Sequence, residues 1–319
     1  MSRTILGIHH VTAIASDPQR TLDFYTELMG LRLVKRTVNF DDPGTYHLYF
    51  GDEIGTPGTI LTFFPWPAAH RGRPGVGMVT ATSFSVSDAS IGYWEDRLLK
   101  SGVPVEREGT RFEEEVLTLV DPDGLRLEIV GHANAQAARP WRDTAVPAEH
   151  AIGGFHSVTL SERGYEKTAE LLSIMGFRKI AESGNRFRFD AGTDGASARV
   201  DVLCVSEAPY GNMGAGSVHH VAFRVSDDAA QLDWRKLLIE KDVDVTPVRD
   251  RQYFHSIYFL EPGGVLFELA TDPPGFAIDE PVESLGEMLK LPPWLETRRS
   301  RIEATLPAIQ LHKPAGDYK

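Results

Sequence analysis

One pattern recurs four times along the chain: a short alternating strand, a polar turn, an amphipathic helix, then two or three strands ending at a glycine-containing turn. A repeat of this kind decides the architecture before any single residue does, because it says which positions are equivalent. The units open at His9, Thr80, Phe155 and His219. Their helices are expected over Pro18 to Met29, Ser90 to Ser101, Tyr165 to Met175 and Ala229 to Lys241, each starting near an Asp or Ser able to cap free amides. The closing strands follow Pro57-Gly58, Asp121 to Gly124, Arg199 and Pro262 to Gly264. Alternating strands bury one face only, so paired units should cover one another. The expected fold is α+β: four βαβββ modules paired into two half-barrel cups.

Residues 1–145 hold two modules and 150–278 hold two more, so they read as two domains joined by the linker-like interval Gly131 to Gly154. Residues 279–319 read as a tail packing on the body, with short helices expected at Glu283 to Lys290 and Trp294 to Ala304. The tail is expected to act as a structural cover or an oligomer contact, with a lid over a pocket as the second reading. A homo-oligomer is left open.

Against 33 basic side chains stand 45 acidic ones, a formal charge of -12, with no basic stripe; a phosphate backbone would be repelled, so no nucleic-acid partner is expected. No apolar run approaches the roughly 18 residues of a membrane span, and the first residues lead into strand-like sequence rather than a signal peptide's apolar core. The single cysteine, Cys204, agrees with a reducing compartment and reads as a packed small hydrophobe. The expected location is the cytoplasm.

The repeats also carry metal-ligand chemistry. Aligned on the Ser-Asp after each opening strand, His10 and His220 are equivalent, with Ala81 in the second unit and His156 in the third. Aligned on the turn glycine, Glu268 falls opposite Glu128 and Phe63. Two imidazoles and one carboxylate from neighbouring strands make the facial ligand set of non-haem iron(II), which leaves three positions open for substrate and dioxygen. If unit three pairs with unit four the set is His156, His220 and Glu268; if unit one pairs with unit four it is His10, His220 and Glu268. The shared His-His doublet and Pro-Gly turn favour His10. Strand alternation turns His9 and His219 away from the cup unless the strand starts are irregular. Glu113 to Glu115 read as exposed charge, and His47, His70, His150 and His255 as structural or surface residues.

With these histidines and this glutamate, the four units resemble the vicinal oxygen chelate superfamily, which includes glyoxalase I and the extradiol ring-cleaving dioxygenases. Six segments look like the hydroquinone-cleaving dioxygenases, of the 2,6-dichlorohydroquinone 1,2-dioxygenase type. They are His9-His-Val-Thr-Ala, Val34-Lys-Arg-Thr-Val-Asn-Phe-Asp-Asp-Pro43, Tyr46-His-Leu-Tyr-Phe50, Gly55-Thr-Pro-Gly-Thr59, Gly154-Phe-His-Ser157 and His219-His-Val-Ala-Phe223. The resemblance spans about residues 5 to 275.

It implies iron ligands at His10, His220 and Glu268, Tyr258 and Arg251 as acid/base and substrate-anchoring groups, and His9, Thr12 and His219 as further pocket residues. It also implies Fe(II), with Mn(II) left open, and a small aromatic diol and O2 as reactants in aromatic breakdown. Two rival functions share the fold: a glyoxalase-like isomerase or lyase, which calls for a fourth ligand where Phe63 is aligned, and a small-molecule-sequestering resistance protein, which needs no metal.

Overall fold

The computed structural model describes residues 3–133, 135, 139–192 and 198–311. Each module supplies four strands. The first contributes β1 (Ile8–Ala15), β2 (Arg32–Asn39), β3 (Asp42–Gly51) and β4 (Ile60–Pro65). The second contributes β5 (Met78–Val86), β6 (Glu106–Arg111), β7 (Glu114–Val120) and β8 (Arg126–Gly131). The third contributes β9 (Phe155–Glu162), β10 (Arg178–Ser183), β11 (Arg186–Asp190) and β12 (Arg199–Cys204). The fourth contributes β13 (Ser217–Val225), β14 (Arg249–Asp250), β15 (Phe254–Leu260) and β16 (Leu266–Pro274).

Two eight-stranded sheets result, ordered β14-β15-β16-β13-β1-β4-β3-β2 and β10-β11-β12-β9-β5-β8-β7-β6. The first module therefore pairs with the fourth and the second with the third, through antiparallel contacts β1–β13 and β5–β9. Each sheet joins a module from 1–145 to one from 150–278, so the linker and the sheet pairing divide the chain in different ways.

The four principal helices are α1 (Pro18–Asp23), which runs on into a π turn at Phe24–Leu28, α2 (Ile91–Lys100), α3 (Glu166–Ile174) and α4 (Asp228–Glu240). Asp17 caps α1 by accepting from Gln19 and Arg20 amides, and Asp227 caps α4 by accepting from Ala230 N. The expected caps on the other two are absent: Ser90 makes no such bond, and α3 starts from Tyr165. Alternation along β13 places Val221, Phe223 and Val225 in the main core with the helix residues Trp94 and Trp234. Ala222 turns to the opposite side, into a second apolar cluster with Tyr49 and Phe254. Cys204 packs half-buried against the main core, as expected.

In the tail, the helix expected at Glu283 to Lys290 does not form. Its sequence is caught by the edge of the first sheet instead. Leu289 bridges Arg36, Lys290 N donates to Arg36 O at 2.9 Å, and Gly286 lies at φ +83° with its Cα against the Leu33 carbonyl, where a Cβ would have no room. Buried Lys35 anchors the tail's start, with Nζ 2.6 Å from Asp279 Oδ1 and also paired to Glu280. Two short helices follow, α5 (Pro293–Glu296) and α6 (Arg299–Thr305), with Leu295 and Ile302 buried beside Val38. Tail residues 312–319, and linker residues 134 and 136–138, lie outside the described residues. Among the described residues, no helix is long and apolar enough to cross a membrane.

Candidate functional site

The central pair of strands in the first sheet builds the site. On β1 and β13, His10 pairs with Ala222 and Thr12 with His220. Between Ile8 and His10 the pairing advances two residues on β1 for one on β13, and beyond Thr12 it advances two on β13 for one on β1. The extra residues are His9 and His219, one bulge on each strand, and a bulge re-aims the side chain it carries. Both outer histidines consequently reach the histidine that follows. Nδ1 of His9 lies 2.9 Å from Nδ1 of His10, and Nδ1 of His219 lies 2.8 Å from Nδ1 of His220.

With their Nδ1 atoms engaged, the two inner imidazoles present Nε2 to a common point. Their Nε2 atoms are 3.3 Å apart, and Glu268 Oε2 lies 3.3 Å from that of His10 and 3.0 Å from that of His220. Ser256 Oγ donates to the other carboxylate oxygen and fixes its plane. Burial alone would push the Glu268 carboxyl up, yet the two imidazoles hold it well below the usual carboxylate range. Burial also lowers His220, with Glu268 opposing, and pushes His219 down to about 4, with the neighbouring His220 adding to the effect.

Glu268 Oε2 is buried and receives no well-aligned hydrogen bond. The two imidazole nitrogens and the carboxylate oxygen lie within 3.3 Å of one another, and an N₂O donor set on one face suits a divalent transition ion. The three residues present therefore fit such an ion.

Above this floor opens a cavity of about 500 Å³ walled by aromatic rings, among them Phe40, Phe64, Trp66 and Phe254. Tyr258 pairs with Glu268 across β15–β16 and lines the cavity together with Arg251 and His219. Arg251 Nε donates to Tyr258 Oη at 3.1 Å, and its Nη1 lies 2.9 Å from Asp41 Oδ2. Burial and the Glu268 charge raise the Tyr258 phenol, while Tyr258 and Asp41 raise Arg251 against the opposing effect of burial. His9 and Thr12 are buried behind the wall rather than on it; Thr12 Oγ1 accepts from Thr62 Oγ1 at 2.8 Å.

His156 lies in the other sheet, where its Nε2 meets Glu114 at 2.9 Å and Arg199 at 2.7 Å. Two of the sequence alignments are out by one residue. Ser83 pairs with Ser157 as Thr12 pairs with His220, so Ser157 is the residue equivalent to His220. Thr12 pairs with Thr62 as Ala222 pairs with Glu268, so Thr62 and not Phe63 is opposite the glutamate; Phe63 turns into the core against Tyr25, 4.7 Å between centroids. The first module's turn is one residue shorter than the fourth's, and a one-residue slip exchanges the faces of a strand.

The expectation for His47 is also corrected. It lines the cavity with Tyr49, and neither residue was singled out from the sequence. Tyr49 pairs with Thr62 as Tyr258 pairs with Glu268, so extending the repeat comparison to the middle strands would have marked it. His47, two positions earlier, shares its face.

Residues 7–129 match the model of the "Glyoxalase/Bleomycin resistance protein/Dioxygenase superfamily". The chain is 48% identical over 307 residues to the "Putative ring-cleaving dioxygenase MhqO" of Bacillus subtilis, covering 96% of this chain and 97% of that one. It is 35% identical over 312 residues to the "Chlorohydroquinone/hydroquinone 1,2-dioxygenase" of Sphingobium indicum, covering 94% and 95%. The crystal structure of a "putative dioxygenase" from Bacillus subtilis superposes with a TM-score of 0.93 at 46% identity, covering 98% and 100%. With relatives this similar along almost its whole length, the chain belongs to the glyoxalase/bleomycin resistance protein/dioxygenase superfamily, on the branch of the ring-cleaving dioxygenases.

Proposed function

We propose that the chain is an iron(II)-dependent dioxygenase that opens hydroquinone-type aromatic rings with O2, with His10, His220 and Glu268 as the metal ligands. The observation that carries this reading is the convergence of Nε2, Nε2 and Oε2 at the floor of an aromatic-walled cavity. The likeness to a chlorohydroquinone/hydroquinone 1,2-dioxygenase supplies the substrate class. Mn(II) accepts the same donors. A bound ion supplies a Lewis acid that favours the phenolate form of the substrate and an electron route from an electron-rich ring to O2.

The chain's own side chains do the rest. Phe64, Trp66 and Phe254 hold the ring and keep water from it. The Arg251 guanidinium steadies an anionic oxygen, and Tyr258, kept as a phenol, holds a proton at Oη beside it. His9 and His219 orient the ligand rings through Nδ1.

The test is anaerobic purification, metal analysis after loading with Fe(II), and O2 uptake with hydroquinone, following both oxygen atoms into a ring-opened product. His220→Ala and Glu268→Ala should lose both bound metal and uptake. Tight zinc without oxygen consumption would instead identify an isomerase, and tight aromatic binding without metal a sequestering protein.

A further inference from the structure

We propose that Tyr49 accepts a hydrogen bond from the second ring hydroxyl of the substrate, so that the cavity selects rings with two free hydroxyls over their mono-ethers. This rests on the hydroquinone reading above and extends it to how the diol is told apart.

The two halves of the cup place a tyrosine at equivalent points. Tyr49 on β3 pairs with Thr62, and Tyr258 on β15 pairs with Glu268; both line the cavity. Their hydroxyls have different partners: Tyr258 Oη accepts from Arg251 Nε, whereas Tyr49 Oη meets a histidine nitrogen.

Tyr49 sits at the end of a one-way chain. Thr62 Oγ1 gives its proton to Thr12 Oγ1 at 2.8 Å, so it can only accept from His47 Nε2, also at 2.8 Å. A neutral His47 with its proton on Nε2 has a bare Nδ1, which accepts from Tyr49 Oη at 2.8 Å. His47 is buried, and burial holds its imidazole well below the usual range, with His10, His220 and Arg251 adding to the effect. Its ring is also clamped between Tyr49 and Phe64, with centroids 4.0 and 4.4 Å away, so the chain is rigid.

Once Tyr49 has spent its proton on His47, its oxygen can meet the cavity only as an acceptor. A ring hydroxyl satisfies it; an ether oxygen sets acceptor against acceptor and leaves the Tyr49 oxygen unpaired. Phe254 stands 5.0 Å from the His10 ring and 6.5 Å from the Tyr49 ring, centroid to centroid, so both flank one wall ring of the cavity. A diol whose near oxygen is at the three-donor floor has its other hydroxyl free to meet a wall residue of the same cavity.

The experiment compares hydroquinone with 4-methoxyphenol by anaerobic calorimetric titration of the Fe(II)-loaded protein; both keep one hydroxyl for the floor and differ only at the far oxygen. The wild-type protein should prefer hydroquinone on the order of tenfold. Tyr49→Phe should abolish that preference by weakening hydroquinone alone. Thr62→Val, which does not touch the cavity, should also shrink it by releasing the His47 tautomer. A preference unchanged in Tyr49→Phe overturns the assignment, as does equal binding of the two compounds by the wild type. If oxygen uptake on hydroquinone persists alongside either result, only the role of Tyr49 falls; if the wild type binds neither compound and takes up no oxygen, the hydroquinone reading falls with it.

Discussion

Ser256 does not line the cavity, yet its hydroxyl bond to one oxygen of Glu268 decides which way the other oxygen faces. Partners of this kind are worth about 10- to 100-fold in metal affinity. Ser256→Ala should weaken Fe(II) binding by about that factor in a chelator competition, with the melting temperature nearly unchanged. At this scale the sequence was legible where chemistry repeats. His10, His220 and Glu268 could be named because two modules carry the same imidazole and two carry the same carboxylate. It was not legible where the side chain's direction depends on a bulge or a turn length. His9 and His219 were read as facing away unless the strand starts are irregular, and the bulges that turn them onto the next histidine, and His219 onto the cavity wall, leave no mark in the residue types. His47 and Tyr49 lie on a middle strand, to which the repeat comparison did not extend.

The second pair of modules shows what becomes of the same framework without the histidines. Ala81 and Ser157 occupy the places of His10 and His220, while Asp201 stands in the place of Glu268 and Glu128 in that of Thr62. The positive charge there comes from Arg111, which grips Glu128 with two bonds of 2.7 and 2.9 Å, and Arg188 holds neighbouring Asp201 in the same way, at 2.7 and 3.0 Å. Removing one partner of a buried pair costs about 3–5 kcal/mol, since the other charge is stranded. Arg111→Ala should therefore lower unfolding free energy in a denaturant titration by about 3 kcal/mol, while the protein that remains folded binds metal as before. Glu114, within the run taken as exposed charge, turns inward to His156, Arg188 and Arg199 and is held down to about 2 by His156 and Arg188 against the effect of burial. Nothing local announces this, because Arg188 and Arg199 reach it from another module.

At the scale of the whole molecule, the third and fourth modules meet where Glu162, at the end of β9, packs against the turn Glu261 to Gly264. The carboxyl occupies the space a Cβ on Gly263 would need, which accounts for the glycine. Burial and the adjacent Glu261 charge push Glu162 up to about 8. A carboxyl whose folded pKa is raised binds its proton more tightly in the folded state. Its contribution is full below the ordinary carboxylate range and is lost as pH rises from there through about 8. Thermal melts at pH 6 and pH 9 should show a larger fall for the wild type than for Glu162→Gln; matching falls would mean that Glu162 holds no proton there. The pairing of outer with outer and inner with inner modules was readable as an alternative from the His-His doublets. The tail's capture by the edge of β2 was not, because its apolar residues suit a helix as well as a strand-like cover.

Outer-module pairing also sets a schedule for the nascent chain. His10 precedes the carboxylate it faces, Glu268, by 258 residues, and at roughly 5–20 residues per second the wait is on the order of tens of seconds. Through most of that interval β1 has no β13 beside it, and to its end the imidazoles have no carboxylate donor. An ion cannot seed this centre as it can in a small zinc module; the fourth module must be made before there is a complete donor set for it to enter.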